Sequence, residues 1–394
     1  MKKHYLITPG PTPIPPEVSS KEGLPVLHHR TSEFGVYFVE VIEGLKYVFQ
    51  TRNDLFLITS SGTGGMESAV ANLISAGDTA IVAASGAFGE RWGKILASYG
   101  AQVVWVREPD GQAIVPSKIE EALKKNPQAK AVFGQHTETS TGVVNDVQKL
   151  GEIVSKTPAV FVLDAISGLG GQELRTDDWK ADVVVAGSQK GLMTAPGLAM
   201  VSVSRKAWPL VEAAKSPRFY FDYRTLRKSI PEKETPYTPA VTLIVSMAEA
   251  LRQIKDEGIE NVWARHAWLA HATREGVKAM GLTIFTQTPC NVLTSINVPA
   301  GLDGKKIVKR TREEYGVSIA GGQVQLEGKI VRLAHMGYMG RFDVIIGLSA
   351  LEMMLHDMGA KIELGKGVAA AQRHLQNPPA AFAPAPAPGA AAIR

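Results

Sequence analysis

The chain has 394 residues, 45% of them hydrophobic, enough to bury a large core and to divide into two or three domains. A net charge of +5, with acidic and basic residues interspersed, gives no reason to expect nucleic-acid binding, and no run of about 18 apolar residues is present to span a membrane. The single cysteine, Cys290, leaves no intrachain disulfide and no cysteine-based metal cluster; with no apolar secretory segment after Met1, the expectation is a cytoplasmic protein.

Residues 1–15 read as an entrance segment. From residue 55 to 205, short β-branched runs alternate with amphipathic stretches of helix length, the pattern of an α/β fold. Strands are expected at Leu55–Thr59, Thr79–Ala83, Val103–Arg107, Ala131–Gln135, Ala159–Leu163, Val183–Ala186 and Leu198–Val203. Crossover helices are expected at Met66–Ala76, Arg91–Tyr99, Ser117–Lys125 and Val147–Ser155. The last strand follows its predecessor too closely for a crossover, so it should run antiparallel in a seven-stranded, mostly parallel sheet. A helical stretch from Val241 to Glu257 continues into Asn261–Met280 and links residues 16–258 to a smaller α+β domain over 259–376. There, strands are expected at Leu282–Phe285, Asn291–Asn297 and Lys329–Leu333, with helices at Asp303–Tyr315 and Phe342–Met358. Residues 377–394 are rich in Ala and Pro and read as a disordered tail.

Polar groups collect where these strands end. Asp164 closes one buried run and Lys190 follows another, so both reach the carboxyl edge of the sheet, where α/β proteins bind ligands. The pair would suit pyridoxal phosphate, whose aldehyde needs a lysine for a Schiff base and whose pyridine nitrogen needs an acidic partner. Either residue alone is more often a solvated lysine or a capping aspartate. The turn Ser60 to Met66 opens a helix and is either a phosphate cradle or a plain flexible turn. It lacks the lysine of a Walker loop and the third glycine of a dinucleotide fingerprint. Phe88 stacks on a planar ring or packs in the core; His136 to Gly142 offers hydroxyls or a solvated turn; Arg332 grips a carboxylate or joins a salt bridge. Gly168 to Gly171 reads as an ordinary turn.

In order and spacing, Thr8-Pro9-Gly10-Pro11, Ser61-Gly62-Thr63-Gly64-Gly65-Met66-Glu67, Gly86-Ala87-Phe88-Gly89, Asp164-Ala165-Ile166, Gly187-Ser188-Gln189-Lys190-Gly191 and Arg332 with His335-Met336-Gly337 resemble the class V pyridoxal-phosphate aminotransferases. The likeness is to the alanine–glyoxylate and serine–glyoxylate branch and runs from residue 5 to about 360. It implies the fold-type-I architecture of pyridoxal-phosphate transferases and a transaminase that moves an amino group from alanine or serine to glyoxylate or pyruvate. By that resemblance Lys190 carries the Schiff base beside Gln189, and Asp164 faces the pyridine nitrogen. Thr63, Gly64 and Gly65 donate to the phosphate, Phe88 and Ile166 cover the two ring faces, and Ser140 or Thr139 approaches the phenolic oxygen. Arg332 binds the substrate carboxylate, with Pro9 and Gly10 as entrance loop, and no metal is implied. Tyr237 and Thr238 look like the loop that a second subunit donates, which implies a homodimer.

Other readings remain. A cysteine desulfurase shares this architecture but needs a nucleophilic cysteine on a mobile loop and usually a histidine on the ring, where Phe88 stands here. A transaminase for 2-aminoethylphosphonate needs extra cations, for which His28-His29-Arg30 is the one cluster available. Ureidoglycine and aspartate remain open as donors. A non-catalytic subunit is disfavoured by the intact Lys190 and Asp164, and a nicotinamide dehydrogenase by the glycine pattern.

Overall fold

The computed structural model describes residues 2–379; the tail expected over 377–394 lies almost wholly outside them. The large sheet is built from β1 (Asp54–Thr59), β2 (Thr79–Ala84), β3 (Gln102–Arg107), β4 (Ala131–Gln135), β5 (Val160–Asp164), β6 (Val183–Gly187) and β7 (Leu198–Val203). Their order is β1-β7-β6-β5-β4-β2-β3, and only β7 runs against the others. All seven expected strands are present, and the antiparallel one is where the missing crossover placed it.

Continuous apolar runs arise because both faces are covered. In β5, Phe161 and Leu163 join a core that includes helices α1 (Ser32–Phe49) and α6 (Val241–Glu257). Val160 and Val162 point the other way, to a core shared with α2 (Gly62–Leu73) and α3 (Ala87–Ser98). A strand alternates faces at every residue, so Asp164 falls on the α2–α3 side. Crossover helices α4 (Pro116–Lys125) and α5 (Val147–Val154) match expectation closely, whereas α2 and α3 start about four residues earlier than the apolar pattern implies. That shift brings both helix N-termini to the sheet edge.

The smaller domain packs an antiparallel sheet of β8 (Leu293–Asn297), β9 (Ala320–Gly321) and β10 (Ile330–Ala334) against α7 (Ile259–Ala279), α8 (Gly304–Tyr315), α9 (Arg341–Asp357) and α10 (Lys366–Leu375). Tyr5–Leu6 pairs in parallel with Val317–Ser318 and Ile7 enters this core, so the entrance segment is stitched to the small domain. Two expectations are corrected. Leu282–Phe285 forms no strand, since only Ile284 bridges Ile296 before the chain bends away. The link helix is not continuous: Gly258, at φ +84°, separates α6 from α7, a backbone setting that favours glycine. No helix among the described residues is long and apolar enough to cross a membrane.

Candidate active site

Five strand ends deliver the polar groups to one edge. Asp164, last in β5, is paired with Gln135 and Val185 and is 5% exposed. Its Oδ1 accepts the Ile166 N–H at 2.8 Å, and Oδ2 accepts nothing among the described residues. Burial pushes its pKa up to about 7; Glu138 adds to the rise, while the Ile166 N–H, Lys190 and Arg91 oppose it. Lys190 follows β6, and burial lowers its amine to about 8, with Asp164 opposing and Arg332 and Arg91 assisting. Its Nζ donates to the Pro9 carbonyl. The Pro9-Gly10 loop is pinned there by Thr12, whose N–H donates to the Gln189 carbonyl at 3.2 Å and whose Oγ1 donates to the Lys190 carbonyl at 3.1 Å. Gly10 has φ +128°, and a Cβ on it would run into Lys190 Nζ, so Pro9 and Gly10 close over the amine only with glycine in place.

The first turn of α2 has no side-chain cap from Ser61, and the N–H groups of Gly62, Thr63 and Gly64 have no acceptor among the described residues. Free amides at a helix N-terminus favour an anion. The Gly65 N–H already donates to the Ser61 carbonyl at 3.2 Å, and a Cβ on this residue would run into Val185 and Ala199. The amides left free are therefore those of 62–64, one residue earlier than the expected three. Ile166 packs between this turn and Gly187, and Gln189 Oε1 is buried without a partner.

Glu138 is a feature that motif reading missed. It is fully buried and its carboxylate accepts the N–H groups of Phe88 (3.1 Å), Gly89 (2.9 Å) and Ser140 (3.1 Å) and the Ser140 hydroxyl (2.5 Å). It thus caps α3 from another segment, because the N-cap residue, Gly86, has no side chain to do so. Burial raises its pKa and these hydrogen bonds hold it down. The hydroxyls of Ser140 and Thr139 both have partners inside the protein, Ser140 donating to Glu138 and Thr139 to Ser167 Oγ at 2.5 Å. His136–Ser140 is not a solvated turn, since all five residues are buried.

Arg332, 4% exposed in β10, donates from Nε to the Gly321 carbonyl at 2.9 Å and from Nη1 to the Thr139 carbonyl at 2.6 Å. Burial lowers its pKa to about 10, with Glu138 opposing. No carboxylate lies within salt-bridge distance among the described residues, and Nη2 has no acceptor there. A second guanidinium, Arg91, also escaped motif reading; it donates to Thr63 Oγ1 at 2.9 Å and lies 4.7 Å from the centre of the Phe88 ring. Helical spacing from Phe88 is its one sequence signal.

Other sequence-level candidates are placed elsewhere. Tyr237 stacks on Tyr220 at 5.4 Å and lies tilted against Phe219 at 5.5 Å, in a cluster where Phe219 is 77% exposed, with exposed Thr238 next to it. Arg30 is ion-paired to Glu234 and donates to the Thr235 and Pro236 carbonyls, so the His28–Arg30 cluster braces that loop. Cys290 is fully buried, and burial pushes its thiol pKa up, the opposite of a nucleophilic loop cysteine.

Comparison with known proteins agrees with this geometry. A family model described as aminotransferase class-V matches residues 4–342. The chain is 37% identical to an L-aspartate–glyoxylate aminotransferase of Paracoccus denitrificans, covering 95% of this chain and 97% of that one. It is 38% identical to a Synechococcus protein named soluble hydrogenase, small subunit, over 95% and 98% of the two chains. The crystal structure of a ureidoglycine–glyoxylate aminotransferase from Bacillus subtilis superposes with a TM-score of 0.92 at 30% identity, covering 96% of this chain and 99% of that one. The fold is that of the fold-type-I pyridoxal-phosphate transferases. Pyridoxal phosphate fits the residues present: an amine depressed by burial, a carboxylate with one open oxygen, three free amides and an orphaned Gln189 oxygen. The chain belongs to the class-V aminotransferase family and is a pyridoxal-phosphate enzyme.

Proposed function

We propose a transaminase that takes the amino group of a small monocarboxylic donor, alanine or serine, and passes it to glyoxylate or pyruvate. The observation that carries this reading is Arg332, a buried guanidinium with no carboxylate partner and an unused Nη2. Such a group is costly to bury alone and binds a substrate carboxylate through two parallel hydrogen bonds, fixing its orientation. Its two carbonyl contacts hold the guanidinium still before substrate arrives, so little ordering remains to be done on binding.

When bound, pyridoxal phosphate supplies the aldehyde that takes up the amine and a cationic ring that draws electrons from Cα. Lys190 would hold that aldehyde, and its neutral Nζ would be the base that takes the proton from the substrate Cα. Burial favours the neutral amine, which is what a base needs. Asp164, with its open Oδ2, would keep a proton on the ring nitrogen. Gly62, Thr63 and Gly64 with Gln189 would hold the phosphate, Phe88 and Ile166 would flank the ring, and Pro9 and Gly10 would keep water from Nζ. Ser140 acts through Glu138 and α3.

A homodimer is part of the proposal. The exposed aromatic cluster of Phe219, Tyr220 and Tyr237 with Thr238 supports a subunit contact that lends Tyr237 and Thr238 to the neighbouring site. The lone, buried Cys290 supports a reducing, cytoplasmic setting. A domain division near Gly258 is likewise proposed, on the break between α6 and α7.

The relatives' names include aspartate and ureidoglycine donors, so a donor panel with glyoxylate, read as 2-oxo acid formed, is the test. Alanine or serine is expected to give the largest kcat/KM. Aspartate or ureidoglycine exceeding both by about tenfold, a difference of about 1.4 kcal/mol, would replace the donor assignment.

A further inference from the structure

The proposed chemistry leaves one guanidinium of the site without work. Arg91, in the second turn of α3, is half-buried, makes no ion pair among the described residues and donates Nη1 to Thr63 Oγ1 at 2.9 Å. Its neighbour Glu90 is already paired with Arg107. Its charge acts on both Asp164 and Lys190, so it lies close to the reacting groups. A guanidinium in that setting calls for an anion.

Two anions come to this site: the substrate carboxylate and the cofactor phosphate. Arg332 stands with Thr139 and Gly321, on the small-domain side. Arg91 stands instead with Thr63, the hydroxyl residue of the turn whose three amides are free. A phosphate ester carries about −1.5 to −2 charges, whereas a helix N-terminus offers only about half a positive charge. The cradle on its own is short of positive charge. The Phe88 ring beneath the guanidinium, 4.7 Å from Cζ to ring centre, favours the cation there.

From this arrangement we infer that Arg91 is the cation of the phosphate subsite, bonded to the cofactor's phosphate ester through the Thr63 turn and so unavailable to read a second carboxylate on a dicarboxylic donor. The inference rests on the cofactor site proposed above and adds a residue to it.

Equilibrium dialysis of the full-length protein against pyridoxal phosphate, and separately against pyridoxal, which lacks the ester, isolates the phosphate contribution. For Arg91→Gln, the Kd for pyridoxal phosphate should rise about thirtyfold, the scale of a lost charge-assisted hydrogen bond, while that for pyridoxal stays within about twofold. Arg91→Lys, which keeps the charge and loses the fork, should fall between, and it decides the matter if the glutamine variant melts early. Equal weakening for both aldehydes would make Arg91 a mere prop for Phe88 and overturn the inference. So would unchanged cofactor affinity with selective loss of aspartate transamination. Wild-type protein that bound neither aldehyde would be a different failure, that of the cofactor site itself.

Discussion

Asp164 and Glu138 are two buried carboxylates at the same sheet edge, and their surroundings differ in completeness. Glu138 accepts three N–H groups and a hydroxyl, which together close off the start of α3. Asp164 accepts one N–H and keeps an oxygen open, with its pKa pushed up to about 7 by burial. A satisfied buried carboxylate is architecture, whereas one left open at a ligand edge is held ready for a cation the protein does not supply. The same contrast separates Arg265, spent on Glu257 and the carbonyls of Gly337 and Met339, from Arg332, which meets no carboxylate.

Substitutions should divide along that line. Lys190→Ala removes the group proposed both to hold the cofactor and to move the proton, so turnover should fall at least about a thousandfold and the visible band of bound cofactor should vanish. Retention of both would break the assignment. For Asp164→Asn, loss of about two pKa units on the ring nitrogen corresponds to about 2.7 kcal/mol, so kcat should drop about a hundredfold while the melting temperature holds or rises. A rise is reasonable because burying a charged carboxylate opposes folding.

Arg332→Lys keeps the charge but loses the planar fork, and should raise KM for the amino acid about thirtyfold with a smaller effect on kcat. An effect on kcat alone would point to a role other than carboxylate binding. Glu138→Gln sharpens the comparison from the finished side. An amide there would set its NH2 against the N–H groups it now accepts, costing about 1–3 kcal/mol of stability, with kcat changed less than about tenfold. Thermal unfolding beside steady-state rates checks it; a rate loss as deep as that of Asp164→Asn at unchanged stability would make Glu138 part of the chemistry.

The strands of the large sheet were legible because burial on both faces writes continuous β-branched runs, and the candidate site's polar groups were legible where a motif follows a strand to the sheet edge, as Asp164 and Lys190 do. Glu138 was not, because its task is defined by N–H groups of Phe88 and Gly89, 50 and 49 positions away in sequence. Arg91 escaped for the same reason, its contact with Thr63 being across 28 positions. Helix α1 was readable in principle: Phe34, Phe38, Val41, Ile42, Leu45, Val48 and Phe49 repeat at helical spacing behind the Thr31 cap. A reading led by chemistry passes over such an element because it carries none. The shift from Gly65 to Gly62 in the cradle turns on where the helix begins, which apolar periodicity does not fix to the residue.

Lys190, just past the end of β6, is proposed as the one amine that tethers the cofactor. Borohydride reduction of the protein isolated with pyridoxal phosphate, followed by peptide mass mapping, tests it most directly. A pyridoxyl adduct on Lys190 and on no other lysine is the predicted result; an adduct elsewhere, or none on protein with the cofactor's colour, would contradict it.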